Sequence, residues 1–94
     1  MKVVVINEEN HGMIGIASTE KAAFQFLINR KWLTFGLEFW DEEKGWWTIR
    51  QLFEEHGWHQ TSENLLAWAL ARGTDWIGWD GYFYFHENEI YEED

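Results

Sequence analysis

Apolar positions in this chain come in short blocks whose spacing changes along its length. Residues 2–7 are a β-branched run, and residues 13–17 are a second short apolar run. Between them Glu8-Glu9-Asn10-His11-Gly12 supplies turn chemistry, because Asn and Gly tolerate positive φ. A β-hairpin is predicted. Ser18 or Thr19 then caps a helix, with Glu20 in the first turn where the helix dipole favours an acid, and Arg30 and Lys31 closing it. Ala22, Ala23, Phe24, Phe26, Leu27 and Ile28 make this helix apolar around most of its circumference. It is therefore expected to be sandwiched between layers rather than laid on a surface.

Beyond it, Leu37-Glu38-Phe39-Trp40 alternates weakly, residues 41–45 read as a turn, and Trp46-Trp47 starts a new strand. A second short hairpin follows from that pattern. Thr48-Ile49-Arg50-Gln51 matches the capping box, in which the Thr hydroxyl and the Gln side chain each satisfy the other's backbone N–H. A short helix to His56 is stopped by Gly57, and another runs from about Ser62 to Arg72 with Gly73 at its end. Aromatic runs at residues 75–79 and 82–85 flank Asp80-Gly81, a strong hairpin signal, and Ile90-Tyr91 adds strand residues. The expected order is β-β-α-(β-β)-α-α-β-β. This is an α+β fold in which a mainly antiparallel sheet of short hairpins packs with about three helices. One compact domain spans residues 1–94, with a short acidic C-terminal tail at about 87–94.

Composition narrows this picture. The 94 residues are 46% hydrophobic and 19% aromatic, with eight Trp and seven Phe, which is too much apolar area for a disordered chain. There is no Cys, so neither a disulfide framework nor a thiolate metal site is available. The opening MKVVVINEEN has too short an apolar run for a signal peptide, and no stretch approaches the ~18 apolar residues of a membrane span. A cytoplasmic setting is expected.

Charge changes the picture most. The net charge is −10, beyond the magnitude of roughly 2–8 that suits a small soluble domain. Residues 1–72 hold ten acids and seven bases, whereas residues 73–94 hold seven acids and no Lys or Arg. Such a surface repels nucleic acid and anionic membranes and attracts basic protein surfaces. Acidity that merely keeps a Trp-rich protein in solution is the competing explanation.

Candidate chemistry is sparse. His56 and His59 stand three residues apart beside Glu54 and Glu55, but Gly57 breaks the helix between them, so they need not share a face for a metal. Glu8-Glu9, Glu42-Glu43 and Glu54-Glu55 read as solvated runs, which do not drive two carboxyl pKa values apart as acid–base catalysis requires. With two Ser, no Cys, no phosphate-binding loop and no Lys/Arg cluster, neither a catalytic residue nor a metal or other cofactor is assigned. The aromatic residues carry more. Consecutive Trp46 and Trp47 in a strand point to opposite faces, and the pairs within residues 82–85 do the same. The outward rings require a partner, a second copy of the chain, or helices over both faces.

The opening strand, the Asn10-His11-Gly12 turn, the helix start Thr19-Glu20-Lys21-Ala22-Ala23 and the late acidic aromatic strand resemble small acidic proteins of phages and mobile elements in Gram-positive bacteria. That resemblance implies the general character of inhibitors of host defence, including anti-CRISPR proteins that mimic nucleic acid. The leading expectation is a non-enzymatic inhibitor of a host nucleic-acid-handling protein, acting by mimicry or steric block. It would touch no nucleic acid or membrane itself. The expected contact residues are Asp80, Tyr84, Glu87, Glu89, Tyr91, Glu92 and Glu93, together with Trp46 and Trp47. An interaction domain or homodimer without inhibitory role is the alternative, and a small metal-dependent enzyme stands third.

Overall fold

A β-branched run flanked by turn residues becomes the middle of a sheet, because only there are both its edges and its inner face covered. In the computed structural model, which describes residues 2–73 and 83–89, β1 (Lys2–Glu8) takes that place. It pairs antiparallel with β2 (Gly12–Ala17) on one side and with β5 (Phe83–Glu89) on the other, in the order β2-β1-β5. A register shift between Ile6 and Asn7 leaves Ile14 as the extra residue of a bulge, and Ile14 packs against the core.

Between the strands run α1 (Glu20–Asn29), a second antiparallel hairpin of β3 (Glu38–Asp41) and β4 (Gly45–Thr48), then α2 (Ile49–His56) and α3 (Ser62–Arg72). Three helices and five antiparallel strands among the described residues make this an α+β fold. The strand expected at residues 75–79 and its Asp80-Gly81 turn lie outside the described residues.

The caps work as their sequences dictate. The Thr19 hydroxyl accepts from Ala22 N–H, Thr61 caps α3 through Asn64 N–H, and Thr48 and Gln51 form the complete capping box of α2. Gly57 ends α2 in the left-handed region at φ 70°. The first two N–H groups of α2 are met by the loop before β3: Ile49 N–H donates to Leu37 O and Arg50 N–H to Phe35 O. α1 ends one residue earlier than the Arg30–Lys31 close predicted for it. Lys31 has left the helix at φ 62°, and the N–H groups of Trp32 and Leu33 turn back onto Leu27 O.

One core joins both sheets. Val4, Ile6 and Phe83 from the first sheet meet Ala23, Phe24 and Leu27 of α1, and the same core continues through Phe39, Ile49, Phe53, Leu65 and Ala69. α1 lies between the sheet and α3, the sandwiched position its apolar circumference predicted. Each fully buried Phe, Leu or Ile contributes roughly 1.5–3 kcal/mol relative to exposure. The chain therefore depends on all of them.

Two acidic segments differ from their expected surroundings. Glu8 is not part of a solvated pair: it is only 6% exposed, at the end of β1. Residues 87–89, expected to open a tail, are the last residues of β5 and pair with β1. The cause is the long reach of β1, whose seven residues offer partners as far as Lys2.

Candidate functional site

The β3–β4 hairpin is the best-formed exposed surface. Asp41 closes its turn, with Oδ1 accepting from the backbone N–H of Glu43 at 2.8 Å and of Lys44 at 3.0 Å, and Gly45 adopts φ 72°. That turn sets the register Trp40↔Trp46 and Phe39↔Trp47. Strand alternation then sorts four aromatic rings onto two faces. Phe39 is buried and Trp47 half-buried, and Phe39 packs on Trp68 of α3. Trp40 and Trp46 point outward, 57% and 52% exposed, and meet edge to face with ring centroids 5.7 Å apart.

Exposed Glu38, two residues before Trp40, shares the strand face of this outward pair, and exposed Glu42 and Glu43 lie in the adjoining turn. Lys44, the cation of the turn, is drawn back over the Trp47 ring and pairs with Glu55 of α2. On the inner side Arg72 lies over Phe39 and Trp68. Burial lowers its pKa from the ordinary guanidinium value, and the Asp41 carboxylate opposes that shift.

Of the residues singled out from sequence, Trp46 is therefore outward as required. Trp47 is not: it is turned toward the core, and its Nε1–H is buried with no acceptor among the described residues. Trp40 was missed. The signal for it was present, because a turn over residues 41–45 places Trp40 directly opposite Trp46.

The acids of β5 divide similarly. Glu87 and Glu89 are exposed and share one face, and Tyr84, 41% exposed, is on the other. Tyr84, expected to join Glu87 and Glu89 in one contact surface, is set on the opposite face by strand alternation from Phe83 to Glu89. Glu89 also lies directly opposite Lys2, whereas Glu87 lines a small recess with Glu20, Val4 and Phe85. Asp80, Tyr91, Glu92 and Glu93 lie outside the described residues.

His56 stacks on Trp58, with ring centroids 4.4 Å apart and planes 14° apart. Among the described residues no three His, Asp or Glu side chains converge as metal ligands would. His11 instead bonds through Nδ1 to Glu8 and presents its ring to the edge of Trp32. That bond, joined by Asn10 N–H at 3.0 Å, holds the Glu8 carboxyl below its ordinary value. No helix among the described residues is long and apolar enough to cross a membrane. Comparison with known protein families, with curated proteins and with solved structures finds no match to this chain.

Proposed function

We propose that this chain is a non-enzymatic binding protein that occupies the basic surface of a nucleic-acid-handling protein and thereby blocks it. The observation that carries the reading is the outward Trp40–Trp46 pair on a hairpin that also exposes Glu38, Glu42 and Glu43. Exposed Trp is the residue type that most often anchors an interface, and acids around it select a partner rich in Lys and Arg. A partner guanidinium laid on an indole gains a cation–π contact as well. The net charge of −10 speeds the encounter, and burial of the two rings holds the complex. A second copy is the poorer fit, since it would bring the same acids against each other. Exposed Glu87 and Glu89 on β5 add to the negative charge of the chain, and the resemblance to small phage proteins is consistent with action in a host cytoplasm.

The test is retention of bacterial nucleic-acid-binding proteins on the immobilised chain at low salt, with free duplex DNA as competitor. Capture should fall steeply with salt and with added DNA. It should also be lost in the Trp40→Ala/Trp46→Ala double variant and be weakened in a separate Glu87→Lys/Glu89→Lys variant. Retention that ignores both the competitor and the Trp substitutions would sink the reading. A concentration-dependent dimer in sedimentation, abolished by the same Trp substitutions, would reassign the pair to self-association.

A further inference from the structure

A second aromatic surface, separate from the hairpin, lies between the end of α2 and the exposed side of α3. It is an open cleft of about 460 Å³, within the roughly 300–1,000 Å³ range of sites that take small organic molecules. We propose that it binds a flat aromatic molecule of one or two fused rings, neutral or positively charged.

The walls are set before any ligand arrives. Trp58 is 46% exposed, yet its ring is held by the stacked His56 and by an edge-to-face contact with Phe53 at 5.3 Å. Phe53 in turn meets Trp68 edge to face at 6.1 Å, so all three rings of the cleft are braced against one another or the core. Rigid walls reduce the entropy lost on binding, which favours a planar ligand over a flexible one. The cleft exists because Ala67 and Ala71, one turn apart on the same side of α3, end at a methyl group. Gly57 at the rim adds no side chain.

Two polar groups line the same space. Asn64 Nδ2 donates to His59 O at 2.9 Å, which fixes the amide and leaves its Oδ1 without a partner among the described residues. The His59 ring is likewise without a hydrogen-bond partner there. A ring N–H or an ammonium group can therefore be accepted at the mouth. Charge then selects the sign. Exposed Glu54 and Glu63 flank the cleft elements, Glu55 being paired with Lys44 of the hairpin turn; of the other cations, Arg50 is at the opposite end of α2 and Arg72 is laid over Phe39 and Trp68. Indole faces also attract cations and repel anions.

The proposal is tested with three probes that share one ring: tryptamine, indole and indole-3-acetate, titrated into the isotopically labelled chain and followed by amide and indole N–H resonances. Tryptamine and indole should shift Gly57, His59, Ala67, Ala71 and the Trp58 indole N–H to saturation. Indole-3-acetate should bind roughly tenfold more weakly than tryptamine. Ala67→Leu, an exposed helix position given a good helix former, should fill the cleft and abolish saturation while the melting temperature stays unchanged. Trp58→Ala should abolish it as well. Non-saturating shifts, or full affinity in Ala67→Leu, would overturn the site, and equal affinity for the acetate would overturn its charge preference. Saturation at Trp40 and Trp46 instead would overturn the cleft and leave the hairpin interface standing, so the two readings fail separately.

Discussion

Gly15 and Phe26 meet so closely that a Cβ built on Gly15 would lie 2.8 Å from the tip of the Phe26 ring. The contact is where α1 lies against the β2 edge of the sheet, and the same ring carries the Arg30 guanidinium 5.5 Å from its centroid. Two effects of opposite sign follow for Gly15→Ala. Lower backbone freedom in the unfolded chain favours the variant by about 0.4–1 kcal/mol. Overpacking against Phe26 opposes it by roughly 1–3 kcal/mol. A net destabilisation of about 1 kcal/mol is expected by chemical denaturation, and Phe26→Leu in the same background should recover part of it. A stabilised Gly15→Ala variant would show that the ring yields freely.

Glu8 predicts a pH dependence. Its carboxyl is lowered first by the His11 side-chain hydrogen bond, with smaller help from Asn10 N–H and against the opposing effect of burial. A folded-state value below the unfolded one means the unfolded chain binds the proton more readily. The stabilisation is then present in full above the ordinary value near 4.5 and is lost as pH falls through the folded value. Glu8→Gln should melt below the parent protein at pH 6, and the gap between the two should narrow only once pH falls below the ordinary value near 4.5. A gap that narrows already above that value, or no gap at pH 6, would mean that the carboxylate charge plays no part.

The α2 cap is a third test. Thr48 Oγ1 accepts from Gln51 N–H at 3.1 Å, and Gln51 Oε1 accepts from Thr48 N–H at 2.8 Å. Thr48 is also the last residue of β4, so one side chain joins hairpin to helix. Thr48→Ala should cost about 1 kcal/mol, within the usual 0.5–2 for such caps. Thr48→Ser should be close to neutral. Equal losses in both would point to the methyl group rather than the hydroxyl.

That cap illustrates what could be read in the chain. Thr48-Ile49-Arg50-Gln51, Gly57 and the Asp41–Gly45 turn act through groups within four residues of one another, so their geometry is written locally. The pairing of β1 with β5 is not, because it joins residues about 80 apart and no local pattern sets its register. Glu8 shows the same limit: its burial depends on a strand and a His11 contact that composition describes only as an acidic turn. Trp40 and Tyr84 are a different case. Their faces follow from alternation within single strands, and only the strand limits were needed to place them.

The last prediction separates binding from folding at Trp46 and Trp47, adjacent residues on opposite faces. Trp46 is half exposed and its main neighbour is Trp40, so Trp46→Ala loses a cross-strand aromatic pair, about 0.5–1.5 kcal/mol beyond modest area burial. Trp47 packs on Phe39 with ring centroids 5.5 Å apart and carries Lys44 at 4.7 Å over its ring. Trp47→Ala should therefore cost about 3 kcal/mol or more. Trp47→Phe should cost far less. It removes the Nε1–H that is buried without an acceptor among the described residues, and an unsatisfied buried donor carries a penalty of about 1–3 kcal/mol. Relief of that penalty offsets the smaller ring. Denaturation curves of the three variants, compared at equal slope, check the order Trp47→Ala, then Trp46→Ala, with Trp47→Phe within about 1 kcal/mol of the parent. If Trp46→Ala proves as costly as Trp47→Ala, the outward ring has a structural task. Loss of partner capture on its removal would then no longer identify an interface.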